Sequence, residues 1–136
     1  MSYILMTDSD SDLPFELQQR YAIPVVRMPY TLNGREYFDD LGQTIDSHAF
    51  FQAMRDGAVP TTSALNTEAY LEYFEPVLQK GQDILFIAFS SRMSSTFVSL
   101  CEARDQLLER YPERVFRVID TLSISAPQTL LVLGAC

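Results

Sequence analysis

Two clusters of hydroxyl side chains are the residues in this chain whose types and spacing could do chemistry. One is Thr-Thr-Ser at 61–63, directly after Pro60, and the other spans 90–96 with five hydroxyls in seven positions. Hydroxyls donate hydrogen bonds without carrying charge, which suits an anionic oxygen such as a carboxylate or phosphate. Free amides at the start of a following helix would add partial positive charge. The pattern predicts anion binding, with helix capping by Ser94 or Ser95 as a compatible alternative.

The acidic run Asp-Ser-Asp-Ser-Asp at 8–12 is a second candidate for chemistry. An EF-hand loop is excluded because leucine and glutamine stand where that loop requires glycine and glutamate. A strand followed by Asp8 and Asp10 is also the pattern of haloacid-dehalogenase-type phosphatases, so a small phosphatase stays open. The structural alternative is that Asp12 caps a helix while Asp8 and Ser9 order the loop.

His48 is the single histidine of the chain and lies near the start of a predicted helix. A serine hydrolase would need this histidine beside a nucleophilic serine, and the sequence has no Gly-x-Ser-x-Gly elbow. We therefore predict that His48 is an exposed residue of a first helical turn. An acyl hydrolase that uses a loop serine is kept beside the phosphatase as an enzymatic alternative.

Charge and cysteine content exclude several classes of function. The 136 residues carry a formal net charge of −8, and the ten basic residues are scattered along the chain. Nucleic acid and anionic membrane surfaces are therefore not expected partners. The chain has neither a segment of membrane-spanning length nor the basic start of a signal peptide. Cys101 and Cys136 suit neither a disulfide framework nor a metal site, so we expect reduced thiols, no metal and a cytoplasmic protein.

Apolar periodicity predicts that strands and helices alternate along the chain. Strands are predicted at 3–6, 24–31, 36–38, 84–89 and 115–119, and helices at 12–21, 46–55, 67–80, 96–111 and beyond 125. Asn33-Gly34 predicts a hairpin turn. The alternation is typical of an α/β domain with a parallel sheet, whose ligands bind beyond the carboxyl ends of the strands. Polar pairs at 8–9, 90–91 and 120–121 each follow a strand, so we expect them at one edge.

The last residues, 129–136, form an apolar run without a polar tail or a closing turn. A domain rarely finishes on an uncovered apolar helix. We therefore expect the chain to be part of a longer protein.

An ordered series of short motifs resembles the DegV family along the whole chain. The motifs are TDS at 7–9 with SDLP at 11–14, Y-x-IPVV at 21–26, NG at 33–34 with Y-x-D at 37–39, P-x-TS at 60–63, SS-x-MS-x-TF at 90–97, and ID at 119–120 with Ser123 and Ser125. Each motif alone is weakly specific, whereas the set in this order is specific. The resemblance implies a DegV N-terminal α/β domain over 1–136, with helices on both faces of a parallel sheet and a small hairpin. In the family a second domain follows, and it is absent from this chain.

The resemblance also implies a function, which is binding of a long-chain fatty acid such as palmitate. In the family the fatty-acid carboxylate is held by the Thr-Ser after the proline and by the serine-rich loop. By position these residues are Thr62 and Ser94, with Ser63 and Ser95 as neighbours. The implied supporting loop residues are Asp8, Ser9, Ser91 and Ser123. Some members present the bound fatty acid to a separate ATP-dependent kinase subunit, which makes this chain a carrier without a cofactor or catalytic residues of its own.

Two departures from the family pattern bear on the site. Ser95 stands where the family usually has glycine, and it could donate a further hydrogen bond or crowd the carboxylate. The glycines that usually follow the last motif are replaced around 126–128. Two other interpretations stay open. The chain could be a small phosphatase or acyl hydrolase that uses Asp8, Asp10 or a loop serine, or it could be an α/β domain that binds no ligand by itself.

Overall fold

The computed structural model describes residues 3–136, which form an α/β domain with two sheets. Its parallel sheet has the strand order β2-β1-β6-β7, and its small antiparallel sheet has the order β4-β3-β5. The strands are β1 (Tyr3–Asp8), β2 (Val25–Val26), β3 (Pro29–Leu32), β4 (Arg35–Phe38), β5 (Thr61–Thr62), β6 (Asp83–Ala88) and β7 (Phe116–Asp120). The helices are α1 (Phe15–Arg20), α2 (Ser47–Arg55), α3 (Thr67–Gln79), α4 (Thr96–Arg110) and α5 (Ser125–Gly134). Within residues 3–136 no helix is both long and apolar enough to cross a bilayer.

The predicted parallel sheet is confirmed by the register of its central strands. Leu5 of β1 pairs with Leu85 of β6, and Ile84 of β6 pairs with Phe116 of β7. Both central strands are nearly continuous apolar runs, as expected of strands with helices on both faces. Parallel pairing brings the carboxyl ends of β1, β6 and β7 to one edge of the sheet, where the polar loops follow.

Helices cover both faces of the parallel sheet, as the resemblance implies. One face packs against α3 and α4 through a core that includes Met6, Phe74 and Leu100. The opposite face carries a smaller cluster in which Leu13 and Ile23 pack with Val132 of α5. Two of the predicted helices, α2 and α3, have side-chain N-caps. Asp46 Oδ1 accepts from Ala49 N at 2.7 Å, and Asn66 Oδ1 accepts from Ala69 N at 2.9 Å.

The small sheet contains the predicted hairpin. Asn33 and Gly34 both have positive φ, at 51° and 75°, as a two-residue type I′ turn requires. The prediction of one strand over 24–31 is wrong, because this segment divides between the two sheets. Val25 pairs with Thr7 of β1, whereas β3 pairs with β4 and β5. The change of sheet falls at Met28, whose N–H donates to Ser9 Oγ at 3.0 Å and not to a neighbouring strand.

The segment after β1 also differs from the prediction. A 3-10 turn spans Ser9–Ser11, and Asp12 ends this turn with φ 51° and its N–H donating to Ser9 O. Asp12 therefore does not cap α1, which begins at Phe15 after Pro14. Asp12 occupies the left-handed region because aspartate tolerates it better than most side chains. The strand extends two residues further than predicted and ends at Asp8.

Phe74 centres the larger core, so its removal should be costly. The Phe74 ring lies edge-on to Phe86 at 5.2 Å and to Phe116 at 4.8 Å, and its residue is 0 % exposed. We expect Phe74→Ala to lower the free energy of unfolding by about 3–5 kcal/mol in urea denaturation. Val98→Ala, at a position of α4 that is 59 % exposed, should change it by less than about 0.5 kcal/mol. Equal effects of the two substitutions would show that this core is wrongly described.

Candidate functional site

The three polar loops that follow β1, β6 and β7 meet at the carboxyl edge of the sheet, as the sequence predicts. Phe89 N donates to Asp8 Oδ2 at 3.0 Å, which joins the ends of β1 and β6. Ser91 N donates to Asp120 Oδ1 at 3.1 Å, and this bond joins the loops after β6 and β7. Ser90 N donates to Ser123 O at 2.8 Å. The expectation that these segments share one edge is therefore confirmed.

Asp8 is a carboxylate removed from water at this edge. Its residue is 1 % exposed, and besides Phe89 N it accepts from Gln128 Nε2, which lies 3.0 Å from Oδ1. Burial raises the pKa of Asp8 from 3.8 to about 7, because desolvation outweighs the hydrogen bonds from Phe89 and Gln128, while the negative charge of Asp10 adds to the increase. Asp8 is therefore a structural carboxyl group that titrates near neutral pH.

The hydroxyl loop, which we define as Ser90–Thr96, is held largely by its own side chains. Ser90 Oγ accepts from Arg92 N at 3.2 Å, and Ser94 Oγ accepts from Thr96 N at 3.2 Å. A hydroxyl that accepts a backbone N–H still has its own hydrogen to donate. Ser94 is half-buried and Ser95 is exposed; Ser95 is the N-cap of α4 but makes no side-chain capping bond. Ser94 thus both orders the start of α4 and has a donor for an anion.

Thr96 joins the hydroxyl loop to the segment that follows Thr62. Thr96 is 2 % exposed, its hydroxyl donates to Leu65 O at 3.3 Å, and it lies 3.1 Å from Tyr70 Oη. Thr62 precedes Leu65 by three residues and Ser94 precedes Thr96 by two. Thr96 therefore links the hydroxyl loop to Leu65, which lies two residues beyond the hydroxyl cluster at 61–63.

Thr62 also lines a cavity of about 590 Å³ between the small sheet, α2 and the 3-10 turn. The apolar lining residues include Met28, Leu41, Ile45, Phe50 and Phe51. This volume lies in the range of about 300–1,000 Å³ that is usual for small-molecule sites. An apolar wall beside a hydroxyl suits a ligand with a long apolar part and a polar end.

Three carboxyl groups, of Asp10, Asp12 and Asp39, line the same cavity. Burial, together with the charges of Asp39 and Asp12, raises the pKa of Asp10 from 3.8 to about 6. Burial likewise raises the pKa of Asp39. An anionic group inside this cavity would be repelled by the ionised carboxylates, so the cavity suits the apolar part of a ligand.

The predicted site residues do not all lie in one place. Thr62 lines the cavity, whereas Ser63, Ser94 and Ser95 are not among the described residues that line it. Of the implied supporting residues, Asp8 and Ser91 link loops as above, and Ser9 Oγ accepts from Met28 N. Ser123 contributes its backbone carbonyl, while its buried Oγ has no hydrogen-bond partner among residues 3–136.

Sequence reasoning missed Gln128 and undervalued Thr96. Gln128 is 0 % exposed on α5, and its amide donates at the carboxyl edge of the sheet. The available signal was a glutamine in a helix that has only Ser125 and Thr129 as other polar residues, because a buried polar group requires hydrogen-bond partners. Thr96 was counted as one hydroxyl among five, and only the fold shows that it faces Leu65 and Tyr70.

The geometry at Asp8 does not suit the phosphatase alternative. Both carboxylate oxygens of Asp8 accept hydrogen bonds and the residue is buried, whereas a nucleophile must reach its substrate. Within residues 3–136 no group of three or more histidine, cysteine or acidic residues is arranged to hold a metal ion. His48 is exposed in the first turn of α2, as predicted.

The fold and these loops define a parallel α/β domain that gathers hydroxyl and amide groups at the carboxyl edge of its sheet. A family model, described as that of the uncharacterised DegV family, matches residues 3–136. The chain therefore belongs to the DegV family.

Curated relatives agree with this assignment. A DegV domain-containing protein of Clostridium perfringens is 34% identical over 130 residues, which cover 96% of this chain and 45% of the relative. A DegV domain-containing protein of Lactococcus lactis is 32% identical over 133 residues, covering 97% of this chain and 46% of the relative. The chain thus spans about half the length of the curated relatives that it matches.

Solved structures of the same fold include fatty-acid-binding proteins. A DegV family protein from Thermus thermophilus, described by its fatty-acid binding, matches with a TM-score of 0.83 and 32% identity over 99% of this chain and 46% of that one. A stearic-acid-binding protein from Eubacterium ventriosum matches with a TM-score of 0.86 and 26% identity over 98% of this chain and 46% of that one.

The raised pKa of Asp8 predicts that stability falls as pH rises. A carboxyl group that holds its proton more tightly when folded stabilises the fold fully below about pH 4, and this contribution is lost as pH rises through about 7. We expect urea denaturation to give a lower free energy of unfolding at pH 8 than at pH 5, by on the order of 3 kcal/mol. Asp8→Asn should remove a large part of this difference, because asparagine does not titrate. Asp10 and Asp39, whose pKa values burial also raises, should keep a smaller pH dependence of the same sign.

The matched control is Asp56→Asn, which removes an exposed carboxylate at the end of α2. The free energy of unfolding of the Asp56→Asn variant should depend on pH as it does in the unsubstituted chain. The same pH dependence in Asp8→Asn would contradict the assignment of the titration to Asp8.

Proposed function

We propose that this chain is a binding domain for a long-chain fatty acid, with Thr62 and Ser94 as donors to its carboxylate and Ser63 and Ser95 as neighbours. The observation that carries the proposal is the position of Thr62, a hydroxyl on the wall of a cavity whose lining is largely apolar. The family relationship supports it, since solved relatives are named for binding fatty acids.

The charges around the cavity suggest the orientation of the ligand. Asp10, Asp12 and Asp39 would repel a carboxylate, whereas an alkyl chain can lie against Ile45 and Phe50. Ser94 is outside the cavity lining and has a hydroxyl hydrogen to donate. The proposal therefore places the carboxylate between Thr62 and Ser94, with the acyl chain directed along the apolar wall.

Affinity and selectivity come from different parts of such a ligand. Burial of a long alkyl chain at about 0.8 kcal/mol per methylene gives on the order of 10 kcal/mol. A hydrogen bond to a charged oxygen contributes about 1.5–3 kcal/mol, and an unpaired carboxylate in an apolar site would be costly. The tail thus supplies most of the affinity, and the hydroxyls select the head group.

The proposal includes the wider setting that the resemblance implies. The resemblance implies that a separate ATP-dependent kinase subunit forms an acyl phosphate from the bound fatty acid, and the hydroxyl groups of this chain would only hold the carboxylate. Residues 1–136 are taken as the N-terminal domain of a two-domain carrier, whose second domain completes the site. We expect this carrier to be cytoplasmic and to use no cofactor besides its ligand.

Paired substitutions test the role of the hydroxyls. In the longest natural chain that contains these residues, Thr62→Val with Ser94→Ala should weaken palmitate binding at least about tenfold, because each lost bond to a charged oxygen is worth about 1.5–3 kcal/mol. Binding of hexadecanol, which lacks the carboxylate, should fall much less. Isothermal titration calorimetry with both ligands measures the difference.

The matched control is Thr61→Val with Ser99→Ala. Thr61 lies on the same short strand as Thr62 with its side chain on the other face, and Ser99 lies on α4 beyond the hydroxyl loop. This variant should bind both ligands as the unsubstituted protein does. An equal loss for acid and alcohol in the Thr62 and Ser94 variant would remove the carboxylate role.

A further inference from the structure

Gln128 of α5 is a buried amide that contacts the ends of two strands. Its Nε2 lies 3.0 Å from Asp8 Oδ1, 3.2 Å from Thr7 Oγ1 and 3.3 Å from Ile87 O. The residue is 0 % exposed, and it lies among the apolar residues of α5. A buried polar side chain in such a helix is costly unless its bonds are made, so its contacts define where α5 sits on the sheet edge.

Asp8 connects Gln128 to the hydroxyl loop. While Oδ1 accepts from Gln128, Oδ2 accepts from Phe89 N, and Phe89 is the residue immediately before that loop. The next amide, of Ser90, donates to Ser123 O in the segment that leads into α5. The start of the hydroxyl loop is therefore fixed at two consecutive amides, and both bonds lead to α5 or its approach.

We propose that Gln128 is a positioning residue of the candidate carboxylate site, which acts through Asp8 on Phe89 and thereby on the placement of Ser94. Gln128 touches no proposed ligand atom. The effect of Gln128 on the backbone at Phe89 does not depend on what the site binds. The effect of Gln128 on ligand affinity rests on the fatty-acid binding proposed above.

The bonds between Gln128 and Asp8 depend on whether Asp8 is protonated. Gln128 Oε1 is buried and has no hydrogen-bond partner among residues 3–136. When Asp8 gains a proton, its carboxyl group becomes a weaker acceptor, so the Asp8 bonds from Gln128 Nε2 and Phe89 N weaken. Turning the Gln128 amide to let Oε1 accept from the new O–H would give up the Nε2 bonds to Thr7 and Ile87. The groups around Asp8 are Asp10 on the 3-10 turn, Tyr70 on α3, Phe89 N after β6 and neutral Gln128 on α5. The pKa of Asp8 near 7 places this change close to neutral pH.

Amide hydrogen exchange at Phe89 tests the positioning role directly. Gln128→Leu removes a donor to ionised Asp8, so the pKa of Asp8 should rise. The Phe89 N–H is held most strongly by ionised Asp8, so its protection against exchange should then appear at a higher pH than in the unsubstituted protein. We expect at least a tenfold loss of Phe89 protection at pH 7.5, together with weaker palmitate binding. Gln128→Met nearly keeps the side-chain length and volume but has no N–H to donate, so it should act in the same direction and serves as the second variant if the leucine variant does not fold. Both are made in the longest natural chain that contains these residues.

Thr129→Val is the matched control, since Thr129 Oγ1 donates to Ser11 O at 2.5 Å from the adjacent position of α5. It removes a buried bond of the same helix without touching Asp8, so the pH dependence of Phe89 protection should not shift. Unchanged Phe89 protection in both Gln128 variants, or an equal shift in Thr129→Val, would overturn the positioning role. If the unsubstituted protein binds no palmitate, the proposed function fails, while Phe89 exchange still decides the role of Gln128.

Discussion

The buried carboxylate of Asp8 is the constraint on which the arrangement of the sheet edge depends. A carboxylate that leaves water must find donors, and the two that it finds come from different elements, Phe89 after β6 and Gln128 on α5. These two hydrogen bonds join the carboxyl end of β1 to the end of β6 and to α5, which packs on one face of the sheet. The hydroxyl loop begins one residue after that junction. The position of the start of the hydroxyl loop thus follows from the hydrogen bonds that the buried Asp8 carboxylate requires.

The binding site that we propose beside this junction would combine uncharged donors with the apolar wall of the cavity. The chain has a formal net charge of −8, and acidic side chains line the cavity, so attraction by positive charge does not account for the anion binding proposed above. In the proposed site the hydroxyls of Thr62 and Ser94 supply directed hydrogen bonds, while burial of the alkyl surface of the ligand supplies affinity. This division suits an amphiphile whose polar end is small, and it agrees with the fatty acids named for solved DegV relatives.

Local signals in the sequence predict most of the fold. Asn33-Gly34 is a turn pair that favours positive φ, and the short apolar run before the hydroxyl loop is typical of a buried strand. The structure confirms both predictions. The errors lie where tertiary contacts decide. Ser9 accepts from Met28 N and directs one predicted strand into two sheets, and a left-handed turn replaces the expected cap at Asp12. Gln128 was missed for the same reason, because its partners Thr7 and Asp8 are 121 and 120 residues away in sequence and its partner Ile87 is 41 residues away. The candidate ligands Thr62 and Ser94 came from the resemblance and not from periodicity.

Native mass spectrometry of the longest natural chain containing these residues, purified without added lipid, tests the central claim most directly. The account predicts a bound species that gains the mass of one long-chain fatty acid, and denaturation should release it as the free acid. A folded protein that carries no lipid, or one that carries a phosphorylated ligand in place of a fatty acid, would contradict it.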